Sequence, residues 1–253
     1  MEIKGFCDTK FALVKEEFER NFSERGDIGA CFALTVEGEC VVDLWAGHQD
    51  ADRSRPWQED TLVNVFSSTK TMTFLCALML ADRGQLNLDS PVAQYWPEFA
   101  TNGKGQLKVK HVLSHSAGLP AFSRPFEVSE LCDWQLCCDD LSAQASWWEP
   151  GTQSGYHATT QGYLLGEVIR RISGETVGQF FKSNVADEID ADFHIGLEPS
   201  QFYRIADLIP APGPSVLADL PADSIVSRVF TGLGDMTEVI ACLLYTSPSP
   251  RDS

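Results

Sequence analysis

TLVNVFSSTKTMTFLCALMLADRG, residues 61–84, places a cluster of small polar residues at the start of a long apolar segment. Val63 and Val65 alternate with polar neighbours, as in a short half-buried strand. The apolar residues that follow recur at helical spacing up to a stop at Gly84: Met72, Leu75, Cys76, Met79 and Leu80. The pattern predicts a strand that leads into a buried helix, with Ser67 at the helix N-terminus.

Ser67 and Lys70 form an S-x-x-K arrangement at this helix start. Residues three apart share one helix face, so the lysine ammonium can reach the serine hydroxyl. A serine hydroxyl is a poor nucleophile until a neighbouring base takes its proton, and a lysine can be that base. The alternative is a serine N-cap followed by a solvated lysine, although such a helix normally has a polar outer face. The spacing alone leaves both interpretations open.

A second polar segment, SWWEPGTQSGYHA, spans residues 146–158. Its proline and two glycines predict a loop with several turns, and a helical pattern follows from Thr160 to Ser173. Tyr156 is therefore predicted on a loop at a helix entrance, where a rigid scaffold commonly presents reactive groups. The alternative is a tyrosine that packs its ring and hydrogen-bonds its hydroxyl without taking part in chemistry.

Histidine could also activate a serine, as in a Ser-His-Asp triad, but such triads assemble in space and sequence spacing places none of the five histidines. His115, within HSAGLP, is either an activating base or a structural histidine that hydrogen-bonds a turn. His157 adjoins Tyr156, although neighbouring loop residues usually point apart. The candidates are His48, His111, His115, His157 and His194.

Several other chemistries have no motif in this chain. A G-x-S-x-G nucleophile elbow, a P-loop and a G-x-G-x-x-G sequence are all absent. No clustered His/Cys set suggests a metal site. The sequence therefore favours hydrolysis that uses neither a cofactor nor a metal.

The composition is that of an acidic globular protein. The 253 residues carry 36 carboxylates against 19 lysines and arginines, a formal net charge of −17. Phosphate binding needs clustered basic residues, so nucleic acid and anionic membrane are not expected partners. The start of the chain shows no secretory h-region, and the longest apolar run is too short to span a bilayer. We expect a cytoplasmic protein.

The remaining pattern predicts a helix-rich chain with one β-hairpin. An amphipathic helix is expected over Thr9–Arg25, and a hairpin over Gly29–Val36 and Cys40–Trp45. Further helices are predicted after Pro91 and over Val109–Ser114, Glu127–Ala145, Thr176–Ala186 and Ser224–Leu233. The last residues, Cys242–Ser253, match a translated sequencing adapter and are excluded from the fold prediction.

The chain resembles the serine β-lactamase and penicillin-binding-protein superfamily, in particular its class C-like branch and the related family VIII carboxylesterases. The resemblance lies in VFSSTK (65–70), LSHSAGL (113–119) and EPG followed by GYHATTQGYLLGEVI (155–169), and it covers most of Phe11–Leu197. It implies that Ser67 is the acylated nucleophile, that Lys70 is its proton acceptor or electrostatic partner, and that Tyr156 is the base that relays a proton to the leaving group.

The resemblance also implies an α/β (α+β) fold: an antiparallel sheet flanked by helices plus an all-helical domain, with the site between them. Residues 1–66 would form part of the sheet domain, 67–200 the mostly helical domain, and 201–241 a Pro/Ala-rich return toward the sheet, before the adapter-like 242–253. The family's late K/H-x-G strand, which supplies the second oxyanion donor, has no counterpart before residue 242. We therefore expect missing C-terminal strands and an impaired enzyme.

A further departure concerns the substrate. The third position of the family's Y-x-N motif is Ala158, so an amide that binds β-lactams is lost and ester hydrolysis is favoured. Phe122 and Trp148 are candidates for lining an acyl pocket, or are plain core residues. The predicted function is hydrolysis of small carboxylic esters through an acyl-enzyme. The alternatives are a β-lactamase or D,D-peptidase, and an inactive scaffold of the same fold.

Overall fold

The computed structural model describes residues 1–209, 221 and 224–231. These residues fall into two compact units. The first contains Met1–Asn64 and residues 198–209, and the second contains Val65–Leu197 with the helix that begins at Ile225. The predicted C-terminal strand loss and the adapter-like residues 242–253 lie outside the described residues.

The first unit is built on a three-stranded antiparallel sheet of order β1-β3-β2. Its strands are β1 (Lys4–Cys7), β2 (Gly29–Val36) and β3 (Glu39–Gly47). The predicted hairpin is confirmed, and its turn places Glu37 at φ 53° and Gly38 at φ 88°, the left-handed pair that a two-residue hairpin turn requires. Strand β1 was not predicted because four residues are too few to show an alternating pattern.

Helix α1 (Ala12–Ser23) covers one face of this sheet. Its apolar stripe centres on Phe18, which is buried against alternate residues of β3, and the predicted helix is confirmed. The β3 residues of this cluster are Val42, Leu44 and Ala46. The inward-facing residues of β3, which alternate along the strand, and the apolar stripe of α1 therefore form one small core.

Within the first unit, residues 1–64 are joined to residues 198–209 by a short pairing and an ionic contact. Leu62 forms a parallel bridge with Ile205, and Arg55 contacts both Asp50 and Asp207. The strand predicted at Val63 and Val65 is wrong: neither belongs to a strand, and both side chains are about two-fifths exposed. Alternation over so few residues did not reflect burial.

The second unit is helical in the part that the structure describes. Its helices are α2 (Thr69–Asp82), α3 (Val109–Leu113), α4 (Val128–Leu131), α5 (Trp134–Ala143), α6 (Thr160–Ser173), α7 (Val177–Phe181) and α8 (Ile225–Thr231). A π-helical turn, Lys182–Ala186, continues α7. The predicted helices over 160–173 and 109–114 are confirmed within one residue.

Two helix predictions differ from the structure. The helix expected after Pro91 is a pair of 3₁₀ turns, Val92–Gln94 and Pro97–Ala100, because Pro97 lacks the N–H and clashes with a continued helix. The helix expected over Glu127–Ala145 is divided into α4 and α5. Asp133 lies between them and accepts a hydrogen bond from the Leu136 N–H, so it begins a new helix as an N-cap.

Helix α6 is the centre of the second unit. Nine of its residues, including Leu164, Leu165 and Ile169, are buried, and the helix contacts α2, α3 and α5. Glu167 is buried as well, and its carboxylate accepts hydrogen bonds from Trp134, Arg170 and Arg171. Because a buried carboxylate needs such partners, this network fixes how α6 lies against α5.

Helix α2 runs beside α6 and carries the S-x-x-K residues at its start. Its inner face buries Thr73, Cys76, Ala77 and Leu80, whereas Leu75, expected in the buried stripe, is 38% exposed. Among the described residues, none of the helices combines the length and apolar character needed to cross a bilayer.

Candidate active site

Ser67 lies in a 3₁₀ turn, Phe66–Ser68, that runs directly into α2. Phe66 has φ 49°, a left-handed conformation that is uncommon for a bulky residue. The turn leaves the Ser67 side chain exposed at the start of the helix. The predicted position of Ser67 at the N-terminus of a helix therefore agrees with the structure, and the helix dipole there favours negative charge.

Lys70 lies in the first turn of α2 and is only partly exposed. Its Nζ is 3.4 Å from the Ser67 Oγ and 2.6 Å from the carbonyl oxygen of Ala158, and it donates to both. The bond to Ala158 crosses 88 positions of sequence. The ammonium is thus held between the nucleophile candidate and the loop that carries Tyr156.

Tyr156 lies on the predicted loop and is 44% exposed. The Lys70 Nζ is 5.1 Å from the centre of its ring, within the range of a cation–π contact. The His115 ring packs against that of Tyr156, with the two ring centres 4.7 Å apart. The structure thus brings Ser67, Lys70 and Tyr156 together, and it adds His115.

His157 is fully buried, in contrast to the exposed Tyr156 beside it. Its Nε2 accepts a hydrogen bond of 3.1 Å from the Leu119 N–H, and its Nδ1 lies 2.5 Å from the Gly155 carbonyl oxygen. Nδ1 therefore carries the ring proton. Burial, opposed by the Gly155 bond, lowers the pKa of His157 to about 4, so the ring is neutral at pH 7.

The segments 115–119 and 146–158 are also joined through their backbones. Trp147 N–H donates to the Gly118 carbonyl at 2.7 Å, Gly151 N–H to that of Ser116 at 2.9 Å, and Gly155 N–H to that of His115 at 3.0 Å. Gly118 has φ 75°, and a Cβ there would lie 2.8 Å from the Trp148 carbonyl oxygen, so glycine is required. The segment HSAGLP thus holds the loop that carries Tyr156 through main-chain hydrogen bonds.

This pairing of two loops was not predicted from the sequence. His157 and Leu119 are 38 positions apart, and no periodicity connects them. The only available signal was the presence of histidine and glycine in both segments, which is compatible with many arrangements. The sequence offered His157 as a candidate base and as a neighbour of Tyr156, whereas in the structure its ring holds the loop by binding the Leu119 N–H.

The three candidate substrate residues have different surroundings. Phe122 is 6% exposed and stacks on Phe126 within the core of the second unit, which is the packing of a core residue. Trp148 is 9% exposed and its ring lies against Gly155, beside Tyr156. Its indole N–H is buried and has no hydrogen-bond partner among the described residues. Ala158 contributes its carbonyl to Lys70.

The site contains no group of carboxylates, histidines and cysteines suited to a metal ion, within the residues that the structure describes. The histidines beside Tyr156 use their acceptor nitrogens for backbone N–H groups instead. The arrangement offers an exposed hydroxyl 3.4 Å from a cation, which itself lies 5.1 Å from the centre of a phenol ring. Such a set of groups is suited to nucleophilic attack with proton transfer.

The chain is similar to known proteins. A family model described as Beta-lactamase matches residues 18–246, which includes part of the adapter-like segment, so that boundary stays a prediction. The esterase/beta-lactamase LipL of Mycobacterium tuberculosis is 36% identical over 210 residues, 81% of this chain and 48% of that protein. The chain therefore spans about half the length of this relative.

Solved structures are similar to this chain in both sequence and fold. The crystal structure of a family VIII carboxylesterase is 44% identical, with a TM-score of 0.78 over 83% of this chain and 58% of the other. A penicillin-binding protein homologue from Caulobacter crescentus is 41% identical, with a TM-score of 0.80 over 84% of this chain and 57% of the other. With a family model matched along most of its length, the chain belongs to the beta-lactamase family.

Proposed function

We propose that the chain is a serine hydrolase that cleaves small carboxylic esters through an acyl-enzyme, with Ser67 as nucleophile and with Lys70 and Tyr156 as the proton-transfer pair. The observation that carries the proposal is the position of the Lys70 ammonium, 3.4 Å from the Ser67 hydroxyl and 5.1 Å from the Tyr156 ring centre. The names of its relatives, esterase and carboxylesterase, support ester substrates.

The geometry favours a division of roles between Lys70 and Tyr156. The Ala158 carbonyl accepts a hydrogen bond from the Lys70 ammonium, which a neutral amine would make less well. We therefore assign to Tyr156 the role of taking the proton from Ser67, while Lys70 supplies positive charge beside the phenol ring.

The reaction then proceeds in two halves. The Ser67 oxygen attacks the ester carbonyl carbon, its proton passes to Tyr156, and the same proton leaves with the alcohol when the C–O bond breaks. Water next attacks the acyl-enzyme, gives a proton to Tyr156, and releases the carboxylic acid as the proton returns to Ser67. The acyl-enzyme splits one difficult step into two easier ones, and no cofactor takes part.

The expected substrate is a small uncharged or weakly charged ester. The net charge of −17 disfavours polyanionic partners such as nucleic acid and anionic membrane. Trp148, with an unpartnered indole N–H beside the Tyr156 loop, is the better of the two aromatic candidates for contacting the acyl group. Phe122, packed on Phe126 and Tyr163, is the weaker one. A cytoplasmic location stays a prediction.

Amide hydrolysis of the β-lactamase or D,D-peptidase type is the second candidate, since one similar structure is a penicillin-binding protein homologue. Position 158 argues against it, because an alanine side chain offers no donor to a lactam or peptide amide. Turnover of p-nitrophenyl acetate and of nitrocefin, measured on the same preparation, separates the two candidates. We expect kcat/KM to favour the ester, and a comparable value for nitrocefin would reverse the assignment.

A fluorophosphonate probe tests the nucleophile directly. We expect covalent labelling of the protein at Ser67, identified by mass spectrometry of the labelled peptide, and no labelling of Ser67→Ala. Ser68→Ala is the matched control, because Ser68 is the adjacent exposed serine in the same turn. Failure of Ser67 to react in the folded protein would support an inactive scaffold.

A further inference from the structure

His115 contacts the residues on both sides of Tyr156 as well as Tyr156 itself. Its carbonyl oxygen accepts the Gly155 N–H at 3.0 Å, and its Nδ1 accepts the His157 N–H at 3.1 Å. Its ring centre lies 4.7 Å from that of Tyr156. His115 thus supplies one hydrogen-bond acceptor for the residue before Tyr156 and a second acceptor for the residue after it. It also supplies a packing surface for the phenol ring.

This arrangement depends on an unusual backbone conformation. His115 has φ 57°, in the left-handed region, and the backbone of Val112 accepts its N–H at 3.4 Å. In this conformation the carbonyl and the ring of His115 both contact residues 155–157. Left-handed non-glycine residues persist only where their surroundings hold them, and they concentrate at functional sites. The next residues, Ser116 and Gly118, continue the pairing with the same loop.

The hydrogen bonds also fix the state of the His115 ring. A ring nitrogen that accepts an N–H carries no proton, so Nδ1 is the acceptor and Nε2 carries the hydrogen. Burial and the nearby Lys70 lower the pKa of His115 below its ordinary value, which agrees with a neutral ring. The groups that face the ring are Lys70, Phe74, Tyr156 and His157.

We propose that His115 is a positioning residue that holds Tyr156 in place for proton transfer, by binding the backbone on both sides of it and packing against its ring. The inference rests on the proposed function, since Tyr156 is taken to be the proton-transfer group. It excludes His115 as the general base, because its one acceptor nitrogen already binds the His157 N–H and leaves no lone pair for the Ser67 proton.

Two substitutions separate the contacts that His115 makes. His115→Asn places an amide oxygen close to where Nδ1 lies and tolerates a positive φ, so the bond to His157 survives without the ring. His115→Phe keeps a ring against Tyr156 but removes the acceptor, so the buried His157 N–H loses its partner. His194→Asn is the control, because His194 is bound to Asp192 and takes no part in the site.

Steady-state turnover of p-nitrophenyl acetate, expressed per serine labelled by fluorophosphonate, is the first readout. Displacement of a catalytic group by about 1 Å can cost about 10²-fold in rate, so we expect His115→Phe to lose about that much in kcat with KM nearly unchanged. His115→Asn should remain within about 10-fold of the wild type, and His194→Asn should equal it. If His115→Phe does not fold, His115→Gly, which suits the positive φ, takes its place with the same expected loss.

Two outcomes would overturn the proposal. Equal, near-complete loss in His115→Asn and His115→Phe would indicate a direct chemical role for the imidazole. Unchanged kcat per labelled serine in both variants, with only a lower melting temperature, would indicate a merely structural residue.

A second readout does not depend on activity. Protein labelled with ¹³C at the tyrosine ζ carbon gives one NMR signal for Tyr156, assigned by its loss in Tyr156→Phe. We expect a single narrow signal in the wild type and in His115→Asn, and a broadened or split signal in His115→Phe. If the wild type shows no ester turnover but this pattern holds, the proposed function fails while the positioning role stands; an unaltered signal in His115→Phe refutes the positioning role itself.

Discussion

The Lys70 ammonium donates a 2.6 Å hydrogen bond to the main-chain carbonyl oxygen of Ala158. The position of this cation therefore depends on the backbone of the Tyr156 loop, whereas the side chain at position 158 is not needed to hold it. Residue 158 can change without moving Lys70, so its side chain is available to set which substrates are accepted.

Ala158→Asn should shift selectivity from esters toward β-lactams. The new amide can hydrogen-bond the lactam substrate while Lys70 keeps its carbonyl partner, so we expect the ratio of nitrocefin to p-nitrophenyl acetate kcat/KM to rise about tenfold, the value of one good hydrogen bond. Ala158→Leu, of similar size to asparagine but without the amide, is the control. An equal rise of this kcat/KM ratio in Ala158→Asn and Ala158→Leu would show that side-chain size alone sets the selectivity.

Lys70→Ala and Tyr156→Phe should be strongly non-additive. Residues that form one proton-transfer unit fail together, so each single variant should lose about 10²–10³-fold in kcat and the double variant only slightly more. The measurement is kcat on p-nitrophenyl acetate for the four proteins of the cycle. Losses that multiply in the double variant would mean that the two residues act independently, and near-normal turnover in Tyr156→Phe would remove the tyrosine from the mechanism.

His157 should make the protein less stable as the pH falls from about 6.5 to about 4. Burial lowers the pKa of the folded-state ring to about 4 from an ordinary 6.5, so in this interval the unfolded chain binds a proton that the folded protein does not. A shift of this size corresponds to about 3 kcal/mol of unfolding free energy between the two ends of the interval. His111 and His115, whose pKa values are also lowered, add to the slope in the same direction.

Urea unfolding at pH 7, 5.5 and 4.5 measures this effect. His157→Gln keeps a group that can accept the Leu119 N–H but does not titrate, so its stability should depend less on pH. His194→Gln is the matched control for the same substitution outside the site, where His194 contacts Asp192. An identical slope in His157→Gln and the wild type would show that His157 does not titrate on unfolding in this range.

Gly155→Ala should lower ester turnover without removing any group of the proposed mechanism. A Cβ at this position would lie 2.5 Å from the Trp148 ring, so either the tryptophan or the Tyr156 loop must move. Displacement of Tyr156 by less than 1 Å should cost about 10-fold or more in kcat.

Gly162→Ala is the comparison, because nothing lies within 4 Å of a Cβ there and the residue is inside helix α6. Alanine in a helix interior should stabilise the protein by about 0.5–1 kcal/mol and leave turnover unchanged. Normal kcat in Gly155→Ala would mean that Trp148 adapts without disturbing the loop.

Lys104→Met should be far more destabilising than Lys108→Met. Lys104 is 1% exposed, and its ammonium donates to the carbonyls of Thr101, Ser142 and Gln144, which ties the 101–106 turn to the end of α5. Removal of the ammonium leaves buried carbonyls unpaired, so we expect a loss of about 2–4 kcal/mol in unfolding free energy.

Lys108 has a side chain that is 41% exposed and forms an ion pair with Asp89, so its removal should cost less than about 1 kcal/mol. Urea unfolding of both variants at pH 7 gives the comparison. Equal losses would show that the three carbonyls find other partners.

Much of the second unit could be predicted because its signals are local. Helix α6 was predicted over the residues that form it, since it combines strong periodicity with Gly174 at φ 79° as its C-terminal stop. Ser67 and Lys70 were found for the same reason: residues three apart on a helix must be neighbours. The failure at Val63 and Val65 shows the limit of a local pattern when it covers too few residues.

The arrangement around Tyr156 could not be predicted, because it depends on contacts between distant segments. His115 and His157 each bind a backbone N–H about 40 positions away, and the partner of a backbone group has no sequence signature. The sequence left His115 as either a base or a structural residue. The hydrogen bond at its Nδ1 is the observation that separates these roles, and it exists only in three dimensions.

The three backbone hydrogen bonds between the 115–119 and 146–158 segments affect how this site can diverge. Peptide N–H and C=O groups are the same in every amino acid, so most substitutions in these loops leave the bonds intact. Residues such as Gln153 and Ser154, both exposed, are therefore open to mutation while Tyr156 keeps its place. Single substitutions in these loops can therefore change the contacts with a substrate while the main-chain hydrogen bonds that hold the Tyr156 loop stay in place.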